Sequence, residues 1–549
     1  MTPRALLRLL GAYALFVAVA CVAFGAWARG GPPAVSTVVE SRWKAGVLVG
    51  RRVLVADGPP IAAGPGETVV RERVVSEGPL SLAPAVFVVG LVSGRDGVVG
   101  ELAGQTAWVT PDDLLARQAY DQGATFLDPT VSFGTHRATV VALLAERLGT
   151  SVGEVERYAR VRRVSMVREP DADGATYPRR ASPSRPDRAA VERAVHEAAT
   201  HLARGVDGAG RFRYAILAPT NQTLSGYNWP RHSGTTYFLA QAAHVGDDAF
   251  VRAAALRAAG MLREDAMRDC GDARCIADDD TADVGSSALA LVALTELVAT
   301  GADRSYLPAV VDLAAFLRSQ QRPDGEFMHF YERAARRAVD KQTMYYSGEA
   351  TLALARAHRV TGDARDLDAA RAGLRHLVRH SWSFFGSRYF VAEEHWTCQA
   401  LAELWDRAPD DEALAFCERW HEVQRALQYR GGDSPYDGAG AFGFGPVMTP
   451  RVTPASSRGE AAVATLRAAR AAGHAQQAEL LRGELDAALA FILRHQLTPG
   501  PRHLFADPAA VRGAFPGSAV DLQLRIDYAQ HAGSMMVRWL ELERDGAER

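Results

Sequence analysis

More than half of this chain is a succession of helical hairpins that repeat one another, and that repetition limits its fold more than any other feature. The run Arg211-Phe212-Arg213-Tyr214, followed by Arg231-His232-Ser233-Gly234 and Gly246-Asp247, recurs as Glu326-Phe327-Met328-His329, Tyr345-Tyr346-Ser347-Gly348 and Gly362-Asp363. Asp207-Gly208 and Asp324-Gly325 open the two copies, and Ser457-Arg458-Gly459-Glu460-Ala461 echoes Ser347-Gly348-Glu349-Ala350. Units of this kind cannot bury their apolar faces alone and stack on their neighbours.

Helical periodicity divides the region into two alternating sets. One begins near Arg188, Asp248, Ser305, Asp366, Asp411 and Gln476, and carries Arg, Glu and Asp on one face. The other begins near Ser233, Gly285, Ser347, His395, Gly459 and Asp527, and is rich in Ala, Gly and Ser all round, as in Ser286–Leu297. A helix with small residues on every face suits enclosure by other helices, whereas a one-sided polar helix suits the surface. Six inner and six outer helices, spaced at roughly 50–70 residues per pair, make an (α/α)6 toroid. An open solenoid of the same hairpins stays open as an alternative, because sequence does not show closure.

Upstream, Ala45–Ala56 and Ala85–Val92 are rich in β-branched residues between Gly and Pro, and read as strands. Gly94–Val99 and Gln105–Val109 suggest a hairpin, Thr110-Pro111-Asp112-Asp113 a helix start, and His136–Leu148 an amphipathic helix. The expected organisation is an export segment over residues 1–30, a small α+β domain over 35–168, a linker over 169–187 and the toroid over 188–545. The linker reading rests on the Pro, Asp, Ser and Arg content of Glu169–Asp187.

At the N-terminus, Arg4 and Arg8 precede an uncharged apolar run from Leu9 to Ala28. About 20 such residues span a bilayer, and positive charge before them favours export of the chain beyond them. A retained signal anchor fits the length. Ala26-Trp27-Ala28 also has the form of a signal-peptide cleavage site, and a lipoprotein ending at Ala20-Cys21 fits least. Each places the bulk of the chain outside the cytoplasm, periplasmic if anchored to the cell membrane and secreted if cleaved. Five cysteines are too few for a disulfide framework. Cys270 and Cys275 enclose a short loop that a local disulfide would close, whereas Cys398 and Cys417 fall in helical patterns and are expected to be small core residues. The net charge of −2 gives no electrostatic case for nucleic acid.

In a toroid the inner-helix N-termini and the loops entering them converge on one mouth, so polar residues just before or within those starts are the site candidates. The catalytic candidates are Asp283, Glu349, Glu394, His395, Asp527 and Tyr346. The substrate-binding candidates are Trp229, His232, Trp396, Arg458, Glu460 and His531. Any single Asp there is accounted for by helix capping. The recurrence of Trp229, Tyr346 and Trp396 beside the acids is not, and carboxylates beside stacking aromatics suit a saccharide. No cofactor is expected, and no full set of metal ligands can be assembled.

Six hairpins, Asp-Gly-x-Phe turns and acidic, aromatic inner-helix starts over roughly Arg188–Leu540 together resemble the six-hairpin glycosidase-like superfamily. That resemblance is one of fold and implies a hydrolase, lyase or epimerase acting on a polysaccharide or glycan, with no catalytic pair carried over by motif. Two shorter resemblances compete. Ala277-Asp278-Asp279-Asp280-Thr281-Ala282 and Gln321-Arg322-Pro323-Asp324-Gly325-Glu326-Phe327 are similar to motifs of class II terpene cyclases, although Ala277 stands where those enzymes have their first Asp. Gln530-His531-Ala532-Gly533 and Arg231-His232-Ser233-Gly234 resemble His-Gly turns of lanthionine cyclases, without the thiolate ligands. A non-catalytic periplasmic scaffold using the ring as a binding surface is the rival outside the enzymes.

Overall fold

The computed structural model describes residues 30–547, apart from 56–57, 88–89, 121–130, 133, 170–185, 381–393, 432–437, 444–448 and 498–501. The apolar run Leu9–Ala28 and nearly all of the expected linker therefore lie outside the described residues. Among the described residues no helix is long and apolar enough to cross a membrane.

The first part is an antiparallel six-stranded sheet. Its strands are β1 (Thr37–Lys44), β2 (Val47–Val55), β3 (Thr68–Pro79), β4 (Asp96–Leu102), β5 (Gln105–Val109) and β6 (Arg160–Arg168), in the order β2-β1-β3-β6-β4-β5. The hairpin expected around Gly100–Gly104 is β4-β5, turning at Ala103 and Gly104, both at positive φ. The described residues of Ala85–Val92 form no strand: a short helix α1 (Pro84–Phe87) covers the start of the segment. Periodicity alone does not separate a brief apolar strand from a buried helical turn. Helices α2 (Pro111–Ala116), α3 (Arg137–Leu148) and α4 (Val152–Tyr158) complete this part.

One face of the sheet shares a core with loops of the helical region. Trp43, Leu114 and Leu144 pack in one cluster with Leu497, Leu504, Phe505 and Leu522. A buried charge cluster joins the two parts, since His503 Nε2 lies 2.6 Å from Asp112 Oδ2 and Arg168 pairs with the same carboxylate. Burial alone would raise Asp112, but Arg168 and His503 outweigh it and hold the carboxyl at about 2. Neighbouring Glu72 is pushed up to about 8 by burial and by the charge of Asp112.

Among the described residues, six outer helices, α5 (Arg188–Arg204), α7 (Ala249–Met261), α9 (Leu307–Ser319), α11 (Ala364–His380), α13 (Asp411–Leu427) and α15 (Ala475–His495), alternate with six inner ones. The inner helices are α6 (Trp229–Gly246), α8 (Val284–Ala299), α10 (Tyr346–Thr361), α12 (Glu394–Leu404), α14 (Val452–Ala471) and α16 (Ile526–Ala547). Each inner helix packs on the next, and α16 returns to α6, so the ring is closed. Ser534 Oγ donates to Gln241 Oε1 at 3.1 Å, and Arg538 Nη2 to the Tyr237 hydroxyl at 2.9 Å, across that seam. The pattern difference between the sets has its expected cause. Nearly every residue of α8 is buried, whereas α11 buries Ala369, Ala370, Gly373, Leu374, Leu377 and Val378, which share one stripe.

A repeated turn sets the spacing of the outer helices. After α5, α9 and α13 the chain reaches Gly210, Gly325 and Gly440, each at φ near +90°. A Cβ there would stand 2.1, 2.4 and 1.9 Å from the carbonyl oxygens of Arg257, Ala372 and Ala487, on the next outer helix in each case. Only glycine permits both the φ and the approach. Gln321 and Gln428 brace the second and third turns, each amide donating to the carbonyl of its own turn glycine and to one on the next outer helix. Gln496 does the same after α15, toward Gly513 and Ala194. The Gln-Arg-Pro-Asp-Gly segment seen once in the sequence is therefore one instance of a device used three times.

Both disulfides among the described residues lie in this region. Cys270–Cys275 closes its short loop. Cys398 and Cys417 are not separate core thiols but are bonded to each other, tying α12 to α13.

Candidate active site at the inner-helix N-termini

Two of the acids at this mouth come from neighbouring inner helices. Asp283 caps α8, its carboxylate accepting from Ser286 N–H and Ser286 Oγ at 2.7 Å each. One helix on, the Tyr346 hydroxyl donates to Asp283, and burial followed by the charges of Asp283 and Glu349 makes that phenol harder to ionise. Glu349, in the first turn of α10, is buried, and its Oε2 has no hydrogen-bond partner. A Cβ on Gly285 would stand 2.8 Å from that oxygen, so the glycine of α8 makes the room the carboxyl occupies. Burial, then the charge of Asp283, raises Glu349 well above the ordinary glutamate value. Asp283 is raised too, chiefly by burial, against the hydrogen bonds from Ser286 and Tyr346. A carboxyl in this state holds its proton more tightly than an exposed glutamate and is suited to donating it.

The next three inner helices bring imidazoles and a third acid. His531 Nδ1 on α16 lies 2.8 Å from Glu460 Oε2 on α14. Burial weakens protonation of His531, but Glu460 more than offsets it, and the imidazole holds its proton more tightly than usual. Glu460 is itself raised by burial, against the pull of His531. His395 on α12 stacks on Trp396 at 4.5 Å between ring centroids and stands 6.0 Å from His531. Tyr345 lies 5.9 Å from His395 and joins the two halves. Tyr345 is also the N-cap of α10 at φ +77°, a strained position for an aromatic residue.

Asp527 is held as an anion. Burial would raise it, but Arg525 grips it at 2.5 and 2.8 Å, with Arg231 at 3.3 Å, and the net shift is downward. It thus serves as a fixed negative charge and not as a proton donor.

Other residues singled out from sequence have different surroundings. His232 is fully buried, with Tyr227 donating to Nδ1 at 2.6 Å and Nε2 donating to the Ala258 carbonyl at 2.9 Å. Burial lowers it to about 4, so it is neutral and both nitrogens are engaged. Arg458 turns to the outer helix α13, donating to Gln424 Oε1 at 2.6 Å. Trp229 is half-exposed and donates to Asp278 at 2.6 Å, whereas Trp396 is buried under the His395 ring. Glu394 opens α12, and its side chain lies outside the described residues. Asp278, Asp279 and Asp280 form an exposed hairpin turn, with Asp280 Oδ1 accepting from Ala334 N–H at 2.6 Å, and not the lining of a deep apolar cavity.

His329 and Ser347 invite a nucleophile reading that their geometry excludes. Thr343 N–H donates to His329 Nδ1 at 2.8 Å, so the proton sits on Nε2 and points at Ser347 Oγ, 2.7 Å away. Ser347 in turn donates to Glu326. The imidazole therefore cannot take the serine proton. Sequence reasoning passed over His329 because it precedes α10 by a loop and a short hairpin, and only the fold returns it to the mouth.

No protein-family model and no curated protein matches the chain. Among solved structures it is similar to a D-mannose isomerase, at 13% identity over 64% of this chain and 99% of that chain, with a TM-score of 0.48. It is also similar to cellobiose 2-epimerase from Bacillus thermoamylovorans, at 11% identity over 62% of this chain and 95% of that chain, TM-score 0.48. A third is an unsaturated glucuronyl hydrolase specific for heparin, at 10% identity over 65% and 99%, TM-score 0.45. The identities are 13% or lower and the TM-scores lie below 0.5, so no chemistry carries over from these proteins to this chain.

Proposed function

We propose that this chain is an enzyme acting on a polysaccharide or glycan, by proton transfer at the inner-helix mouth. The observation that carries the reading is Glu349, a buried carboxyl with an unpartnered oxygen, raised well above its ordinary value and set beside Asp283 and Tyr346. A protonated acid is what glycosidic bond cleavage and sugar isomerisation both need at the departing or migrating oxygen. The same mouth holds the buried His531–Glu460 pair, and Trp229 and Tyr345 offer ring surface on which a sugar can stack. Hydrolase, lyase and epimerase chemistry share these parts, and the substrate decides among them.

The protein is proposed to work outside the cytoplasm, anchored by Leu9–Ala28 or released from it. Two disulfides support this, because such bonds persist in oxidising compartments. Protease protection in intact and permeabilised cells tests it, and a chain protected in both intact and outer-membrane-permeabilised cells contradicts it.

The test of function is a screen of the purified full chain against glycans, with Glu349→Gln and Glu394→Gln beside the parent. Loss of the general acid should lower turnover by about 10²- to 10⁴-fold in Glu349→Gln. If no glycan binds or reacts, or Glu349→Gln turns over at the parental rate, the reading is wrong.

A further inference from the structure

We infer that His395, Glu460 and His531 form a binding site for one divalent transition-metal ion. The three residues come from three successive inner helices, α12, α14 and α16, and one ligand atom from each lies within 4.8 Å of the others. Around a metal with bonds of about 2.0–2.1 Å, neighbouring ligand atoms stand roughly 3–3.4 Å apart. The Glu460–His531 edge, at 2.8 Å, is already that close. His395 supplies the third ligand atom, within the same 4.8 Å.

An ion pair between Glu460 and His531 explains only part of this arrangement. It uses Oε2 of the carboxylate and leaves Oε1 buried with no hydrogen-bond partner, in a residue only 2% exposed. Such an oxygen is costly to keep unless something binds it. A metal ion would, and two imidazoles with one carboxylate are a donor set suited to zinc, iron(II) or manganese with positions left over for water or substrate. A cavity of 570 Å³ at the opposite end of the ring, lined by Glu403, Arg467 and Arg538, reaches Glu460. The sequence suggested no such set because its members are separated by 65 and 71 positions, at residues 395, 460 and 531.

The site is tested by stripping the full chain with a chelator and titrating it with zinc and cobalt(II) by calorimetry and visible absorption. Binding of one ion per chain is expected, with a zinc-dependent rise in Tm. Affinity should fall on the order of 100-fold or more in each of His395→Gln, Glu460→Gln and His531→Gln. His376→Gln, on outer helix α11, should bind as the parent does. X-ray absorption on the zinc-loaded parent needs no variant, and two imidazoles with oxygen ligands are expected. Absence of binding, a shell without imidazole, or full affinity in the doubly substituted His395→Gln/Glu460→Gln chain overturns the site. Metal binding reads no glycan chemistry, so its failure leaves the Glu349 reading standing, and a silent glycan screen leaves the metal site standing.

Discussion

Burying a carboxyl without a partner disfavours its charged form, and Glu349 carries that cost where its proton would be used. Its raised pKa sets the sign of its effect on stability. Below the ordinary glutamate value of 4.5 both folded and unfolded chains keep the proton. As pH rises from there, the unfolded chain releases a proton that the folded chain retains, and stability falls until the folded carboxyl ionises. Glu349→Gln removes that dependence. Its Tm should be close to the parent's at pH 4 and exceed it by a growing margin toward neutral pH. Melting curves across that range check this, and a constant offset would mean that Glu349 is not held protonated. Residue types were legible in the sequence: acids, imidazoles and aromatics at inner-helix starts. Their states were not. Asp527 and Glu349 looked alike as acids, yet two arginines pull the first toward its charged form and burial pushes the second toward its protonated form.

At the scale of single elements, the Asp-Gly turns carry specific structural demands. Gly325→Ala places a Cβ 2.4 Å from the Ala372 carbonyl at φ +93°, and should cost on the order of 3 kcal/mol by combining backbone strain with overpacking. Gly208, with nothing within 4 Å of its Cβ position, should tolerate alanine almost unchanged. Chemical denaturation of both variants separates the two cases, and equal losses would contradict the docking role. The Cys398–Cys417 bond closes a segment of 19 residues, so its removal in Cys398→Ala/Cys417→Ala should cost about 3 kcal/mol on the chain-entropy account. A Tm insensitive to that double substitution would show that the bond does not brace α12 on α13. Helix positions were largely readable, since periodicity survives whatever packs around it. Helix α14 starts at Val452, earlier than the expected start near Gly459, with Pro454 inside its first turn. Proline in the first helical turn gives up no hydrogen bond, and the helix runs through it. Strands Thr68–Pro79 and Arg160–Arg168 escaped notice because their alternate positions are charged and paired across the sheet, as Arg162 is with Glu77. The Cys398–Cys417 pairing has no signature in spacing at all.

For the molecule as a whole, closure of the ring gives its two ends different properties. Sequence implied six hairpins but could not show α16 meeting α6, a contact between segments some 300 residues apart, as in the Ser534–Gln241 bond. Once closed, the ring gathers Asp283, Tyr346, Glu349, His395, Glu460 and His531 at the N-terminal end. At the C-terminal end it leaves the charged cavity of Glu403, Arg467 and Arg538. The central claim is that chemistry on a glycan occurs at the first end. The most direct measurement is the initial rate of turnover of a glycan identified by screening, compared among the parent, Glu349→Gln and Arg467→Ala. A loss of about 10²- to 10⁴-fold is expected in Glu349→Gln, and a rate within a few-fold of the parent in Arg467→Ala. A parental rate in Glu349→Gln, or a collapse confined to Arg467→Ala, would place the active site at the wrong end of the ring and contradict the claim.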